Sequence, residues 1–142
     1  MSRMMKLGLG LLAVAGLSGL VLAPGLAPAQ APSPKTYTVE VKNHQFLVDG
    51  KAQPLRIKGG DKVVWINRDR VPHTATSDRG APFKFDTGVL RKDVPSSPVT
   101  FPAGDYTVRY HCDIHPVMRS SVIVGNGPTP ARVAPSAVPH AH

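Results

Sequence analysis

Between Tyr106 and Cys112 the chain alternates strictly, with Tyr106, Val108, Tyr110 and Cys112 on one side and Thr107, Arg109 and His111 on the other. A period of two is the signature of a half-buried β-strand. This strand ends on the only cysteine in the protein, and His115 and Met118 follow at steps of three residues. The loop after Cys112 must therefore curl so that a thiol, an imidazole and a thioether return toward one point. Pro116 assists by fixing one φ angle and removing one N–H. Whatever the fold, it has to end an inward-facing strand in a short, closely held loop.

The rest of the chain supplies partners for such a strand. Tyr37, Val39 and Val41 alternate with Thr38, Glu40 and Lys42. Leu55 and Ile57 alternate with Arg56 and Lys58, and Gly59-Gly60-Asp61 is a turn signal. Lys62 to Asn67 is rich in β-branched and aromatic residues, as strands are. Shorter strands are expected over 73–77, 99–101 and 121–124. Pro102-Ala103-Gly104-Asp105 and Asp86-Thr87-Gly88 are expected turns. Segment 78–98 is the least regular. Short strands punctuated by Gly, Pro and Asp, without a helical pattern, indicate an all-β sandwich or barrel.

The N-terminus is expected to be a signal peptide, residues 1–29. Arg3 and Lys6 precede an uncharged apolar run from Leu7 to Ala23, and Ala27-Pro28-Ala29 has the small-x-small form of a cleavage site. No cysteine lies near that site to carry a lipid, and no Arg-Arg pair precedes the run. Export to the bacterial periplasm, with no stable membrane anchor after removal of the signal, is the expectation. Residues 30–36 read as a flexible lead-in, 37–124 as one domain, and 125–142 as a disordered tail of Gly, Pro, Ala and Ser. Losing Arg3 and Lys6 lowers the formal charge from +8 to about +6. No interleaving of basic and aromatic residues points to nucleic acid, so the charge implies solubility and attraction to acidic surfaces.

One cysteine in an exported chain rules out an internal disulfide and directs attention to metal ligation. Thioether is a poor zinc ligand, and zinc sites prefer more Cys or His. A binuclear copper centre would need two cysteines. If a second imidazole joins Cys112, His115 and Met118, the set becomes two His, one Cys and a weak axial Met, the donors of an electron-transfer copper site. The candidate is His73, which follows Val71-Pro72 just past the Trp65 strand and precedes Cys112 by 39 residues. In a sandwich, strands remote in sequence lie side by side, so this contact is permitted.

These motifs resemble the cupredoxins of the plastocyanin/amicyanin type, the blue (type 1) copper proteins. The resemblance runs through Gly60-Asp61-Lys62-Val63-Val64-Trp65-Ile66-Asn67, Pro72-His73, Phe101-Pro102-Ala103-Gly104-Asp105-Tyr106 and Tyr110-His111-Cys112-Asp113-Ile114-His115-Pro116-Val117-Met118, and covers 37–124. The two-residue gaps on both sides of His115 match the amicyanin form. The resemblance implies an eight-stranded Greek-key β-sandwich and one copper ion. It implies His73, Cys112 and His115 as equatorial ligands, Met118 as the axial one, and a tyrosine corner at Tyr106. Two positions depart from the family pattern. Thr74 stands where the family has an Asn that braces the ligand loops, and Val117 where amicyanin has a larger aromatic residue.

The expected function is a one-electron carrier, a monomer without enzymatic activity, meeting transient redox partners of dehydrogenase, cytochrome or oxidase type. His115 is the expected exit route, with Val71, Pro72, Pro116 and Val117 around it and Arg68, Arg70 and Arg119 at the rim. The alternative is a copper-binding module for storage, delivery or resistance, using the same residues.

Overall fold

A computed structural model describes residues 32–131 together with Gly25. The expected signal peptide and residues 132–142 of the expected tail lie outside the described residues. The chain divides into two units, Met1–Ala31 and Pro32–His142, and the second carries the fold.

Among the described residues eight strands form in chain order: β1 Thr36–Lys42, β2 Gln45–Leu47, β3 Leu55–Ile57, β4 Lys62–Asn67, β5 Thr76–Ser77, β6 Val99–Thr100, β7 Tyr106–His111 and β8 Arg119–Val124. They make two four-stranded sheets, ordered β2-β1-β4-β6 and β3-β8-β7-β5. Two pairings are parallel, β1 with β4 and β3 with β8, and the others are antiparallel. No helix occurs among the described residues. The chain passes between the sheets at β2–β3, β3–β4, β4–β5, β5–β6 and β6–β7, giving the expected sandwich.

Alternation places the core. Val39 and Val41 of β1 and Val63 and Trp65 of β4 turn inward from one sheet. Val108 and Tyr110 of β7, Val122 and Val124 of β8, and Leu55 and Ile57 of β3 meet them from the other. Trp65 stacks on Phe85 with centroids 5.0 Å apart and meets Tyr110 nearly perpendicularly at 5.7 Å. Burial of such aromatic groups, at roughly 2–3 kcal/mol each, dominates the stability of a small sandwich.

Several boundaries differ from the sequence expectation for identifiable reasons. The strand expected over 73–77 shrinks to Thr76–Ser77, because His73 pairs with Leu90 only as an isolated antiparallel bridge and the Thr74 N–H donates to Cys112 Sγ rather than to a neighbouring strand. Strand β8 begins at Arg119, two residues early, because Arg119 pairs with His111 directly beyond the loop. Part of the expected disordered tail packs on the domain. The Asn126 N–H donates to the Asp105 carboxylate, the Thr107 hydroxyl bonds the Pro128 carbonyl, and Arg56 reaches the Thr129 hydroxyl. Residues 125–131 therefore extend the folded unit past 124.

Turn chemistry locks the far end of the sandwich. A Cβ on Gly59 would lie 2.3 Å from the Ala103 Cα, so only glycine allows these two turns to touch. Gly60 adopts φ +90 and donates its N–H to Phe101 O at 2.7 Å. The Tyr106 hydroxyl donates to the Pro102 carbonyl at 2.8 Å, forming the tyrosine corner.

Asp61 fastens the lead-in to this end. Its carboxylate accepts the N–H of Lys35 at 2.8 Å and of Lys58 at 2.9 Å. The Lys35 N–H bond holds its pKa below the ordinary 3.8, against burial, and the Lys58 N–H adds to the lowering. Folding thus lowers this pKa. The stabilisation is complete above the unfolded value and is lost as the pH falls through the folded one. Asp61→Asn is expected to lower stability at pH 7 by about 1 kcal/mol and to narrow the gap to wild type in acid. Urea unfolding at pH 7 and pH 3 measures both. A gap of equal size at the two pH values would rule the linkage out.

Candidate metal centre

Strand β7 ends at His111, and Cys112 follows as the last residue facing inward, fully buried. Two backbone hydrogen bonds close the loop after it. The Met118 N–H donates to His115 O at 2.8 Å, and the Cys112 N–H donates to Met118 O at 3.1 Å. Met118 is thereby returned to the core beside Cys112 and is itself buried. The short spacing works because the loop leaves β7 and re-enters β8 in adjacent register, with His111 opposite Arg119.

His73 arrives from the other sheet on the loop after β4. Asn67, the buried last residue of β4, holds that loop. Its amide donates to Val71 O at 2.8 Å and to Leu90 O at 3.0 Å, and its carbonyl oxygen accepts the Asp69 N–H at 2.8 Å. Leu90 in turn donates its N–H to His73 O at 2.7 Å. The imidazole is fully buried, and its Nε2 lies 2.9 Å from the Asp69 carboxylate. That bond leaves Nδ1 with the lone pair directed at the cysteine. Burial holds His73 below the ordinary imidazole range, Asp69 opposes the shift, and His115 and His44 add to it. The ring is therefore neutral near pH 7, the form that ligates a metal.

His73 Nδ1 lies 3.8 Å from Cys112 Sγ, and His115 Nδ1 lies 3.7 Å from it. Nitrogen and sulfur donors at about 2.0 and 2.3 Å from one ion, roughly 120° apart, stand about 3.7 Å from each other. The observed spacing fits donors arranged around a common centre. All four residues singled out from the sequence, His73, Cys112, His115 and Met118, come together in the fold.

Thr74 braces the two loops. Its hydroxyl accepts the Asp113 N–H at 2.8 Å, and its N–H donates to Cys112 Sγ at 3.3 Å. Hydrogen bonds to a ligand atom orient it and set its basicity. The Asp113 carboxylate also accepts from the Thr76 hydroxyl at 2.7 Å, which lowers its pKa against burial, with His111 adding to the effect. A threonine at this position thus still links the two loops, using its hydroxyl and its own N–H.

His44 was not singled out from the sequence. It sits in the turn between β1 and β2, and its ring lies 4.8 Å from that of His115 and 5.2 Å from that of His73. The available signal was a two-residue turn, Asn43-His44, between alternating segments. Asp69 was missed as well, since its link to His73 appears only once the loop is folded.

His115 is half-buried, its loop neighbours Ile114 and Val117 are exposed, Val117 by 92%, and Val71, two residues before His73, is exposed as well. Of the three arginines expected at the rim, Arg68 is held between Glu40 and Asp93 at 3.0 Å each, and Arg119 lies 3.4 Å from Asp78. Those cations are partly neutralised by the protein's own carboxylates.

No protein-family model matches the chain. Among curated proteins, amicyanin of Paracoccus denitrificans is 32% identical over 123 residues, covering 80% of this chain and 88% of the relative. Among solved structures, amicyanin from Paracoccus versutus matches with a TM-score of 0.53 at 26% identity, over 63% of this chain and 81% of that one. A Cu(I) form of a methionine-to-alanine variant of amicyanin matches with a TM-score of 0.52 at 28% identity, over 63% of this chain and 82% of that one.

Proposed function

The chain belongs to the cupredoxins, in the amicyanin group, and on that premise we propose that it carries single electrons on one type 1 copper ion. Held by His73, Cys112, His115 and Met118, copper supplies reversible one-electron chemistry between its +1 and +2 states. The observation that carries this reading is the placing of the two Nδ1 atoms 3.7 and 3.8 Å from a single buried sulfur.

The protein's own part is to hold these donors still. The Cys112–Met118 and Met118–His115 hydrogen bonds, the Thr74 brace and the Asn67 clamp leave little freedom for rearrangement when the charge of the site changes. His115, the half-buried ligand, gives the electron its route to the surface. The exposed Val71, Ile114 and Val117 offer a small apolar patch there, suited to brief contact with a redox protein. The partner class is a dehydrogenase, cytochrome or oxidase, met by a monomer. The periplasm is the proposed location, supported by Arg3, Lys6, the apolar run and Ala27-Pro28-Ala29. Among the described residues no helix is long and apolar enough to cross a membrane.

Reconstitution with Cu(II) tests the function. The expected product is intensely blue, from thiolate-to-copper charge transfer, and is bleached and restored by reductant and oxidant. A colourless complex that surrenders copper readily to a chelator would favour storage or delivery and overturn electron transfer.

A further inference from the structure

The β1–β2 hairpin turns through two residues, Asn43 at φ 53 and His44 at φ 56, with Lys42 opposite Gln45. Two successive left-handed residues make a type I′ turn, whose preferred sequence is Asn-Gly. A side chain at the second place is strained, and glycine relieves the strain. Turn formation therefore does not account for a histidine here. Strain of this kind points to a use for the side chain.

Asp69 holds the strained turn in place. Its Oδ1 accepts the Asn43 N–H at 2.8 Å, and its Oδ2 accepts the His44 N–H at 3.0 Å. The same Oδ2 lies 2.9 Å from His73 Nε2. One carboxylate thus ties the His44 backbone to the His73 ring. The His44 ring stands perpendicular to His115, and one nitrogen from each of His44, His73 and His115 lies within 4.8 Å of the others. Exposure falls from His44 through His115 to His73, so the three rings lead from solvent to the buried sulfur.

We propose that His44 is a copper-capture residue, which engages the ion during entry and exit and is not a donor of the finished site. This rests on the copper reading above. The buried thiol and the buried His73 cannot meet a hydrated ion at the surface. An exposed imidazole beside His115 replaces one water first and lets the remaining donors follow in order. A residue that acts only on the path lowers the barrier equally in both directions. Its loss therefore slows uptake and release alike and leaves affinity unchanged.

The test is stopped-flow mixing of apo-protein with Cu(II), following growth of the blue band in wild type, His44→Gly and His44→Asn. Glycine suits the left-handed turn, and asparagine tolerates it, so both variants keep the hairpin, which thermal unfolding checks. Both are expected to take up copper about tenfold more slowly and to lose it to a chelator more slowly by the same factor. Their final spectra and reduction potentials are expected to match wild type. Equal uptake rates in all three proteins would overturn the capture role while leaving the blue site standing. An altered spectrum or potential with unaltered rates would assign His44 to the finished site and overturn it too. A wild type that never turns blue would remove the copper reading and this proposal with it.

Discussion

Cys112→Ser is expected to give a folded protein that shows no blue colour with Cu(II). The colour requires a thiolate, and a metal-bound thiol is deprotonated outright, whereas a serine hydroxyl does not ionise near neutral pH. The substitution also turns a soft donor into a hard one, so Cu(I) loses its strongest partner. The fold has little reason to suffer. Cys112 accepts one hydrogen bond, from the Thr74 N–H at 3.3 Å, and a hydroxyl oxygen can accept it as well. The apo-protein is therefore expected to unfold within about 1 kcal/mol of wild type. Absorption spectra after Cu(II) addition and urea unfolding of the apo-protein check the two halves separately. A serine variant that stayed intensely blue would remove Cys112 from the site.

What could be read in advance depended on how local the constraint was. Cys112, His115 and Met118 lie on one loop, so their convergence follows from the spacing. Alternation in β1, β4 and β7 fixed which side chains form the core, and Val39, Trp65 and Tyr110 are buried accordingly. His73 could be nominated but not placed, because its position depends on Asn67 clamping a loop against Leu90, a contact 23 residues away in sequence. His44 carried the mark of a hairpin turn with a side chain where glycine is preferred, but nothing that named His115 as its neighbour. Its place beside His115 follows from the tight hairpin and the Asp69 carboxylate, and neither is visible until β1 lies parallel to β4. The expected strand over 73–77 failed for a related reason. The Thr74 N–H is given to Cys112 Sγ, which outweighs its β-propensity and leaves His73 as an isolated bridge to Leu90.

The same dependence on Asn67 gives the second large effect. Asn67→Ala is expected to lower the stability of the apo-protein by about 2–3 kcal/mol. The amide is fully buried and makes three hydrogen bonds, donating to Val71 O and Leu90 O and accepting from the Asp69 N–H. Alanine takes the side-chain partner from all three, and the buried Leu90 carbonyl keeps only a long bond from the His73 N–H at 3.5 Å. The size of this loss separates a clamp from simple core packing, and Asn67→Asp sharpens the distinction. A carboxylate of the same shape still accepts from the Asp69 N–H, but it faces two carbonyl oxygens with nothing to donate. At pH 7 it is expected to be worse than alanine. Its folded pKa is raised by burial and by those oxygens, so its stability relative to Asn67→Ala improves as the pH falls through that value. Urea midpoints at pH 7 and pH 5, with unchanged slopes, measure the trend. In Asn67→Ala the loop that carries His73 is released while Cys112, His115 and Met118 stay where they are. Copper is then expected to bind with a weaker and shifted blue band, whereas Cys112→Ser removes the band entirely. If Asn67→Ala kept the wild-type spectrum despite its lost stability, the clamp would matter to the fold alone, and His73 would be held by Asp69 and Leu90 without it.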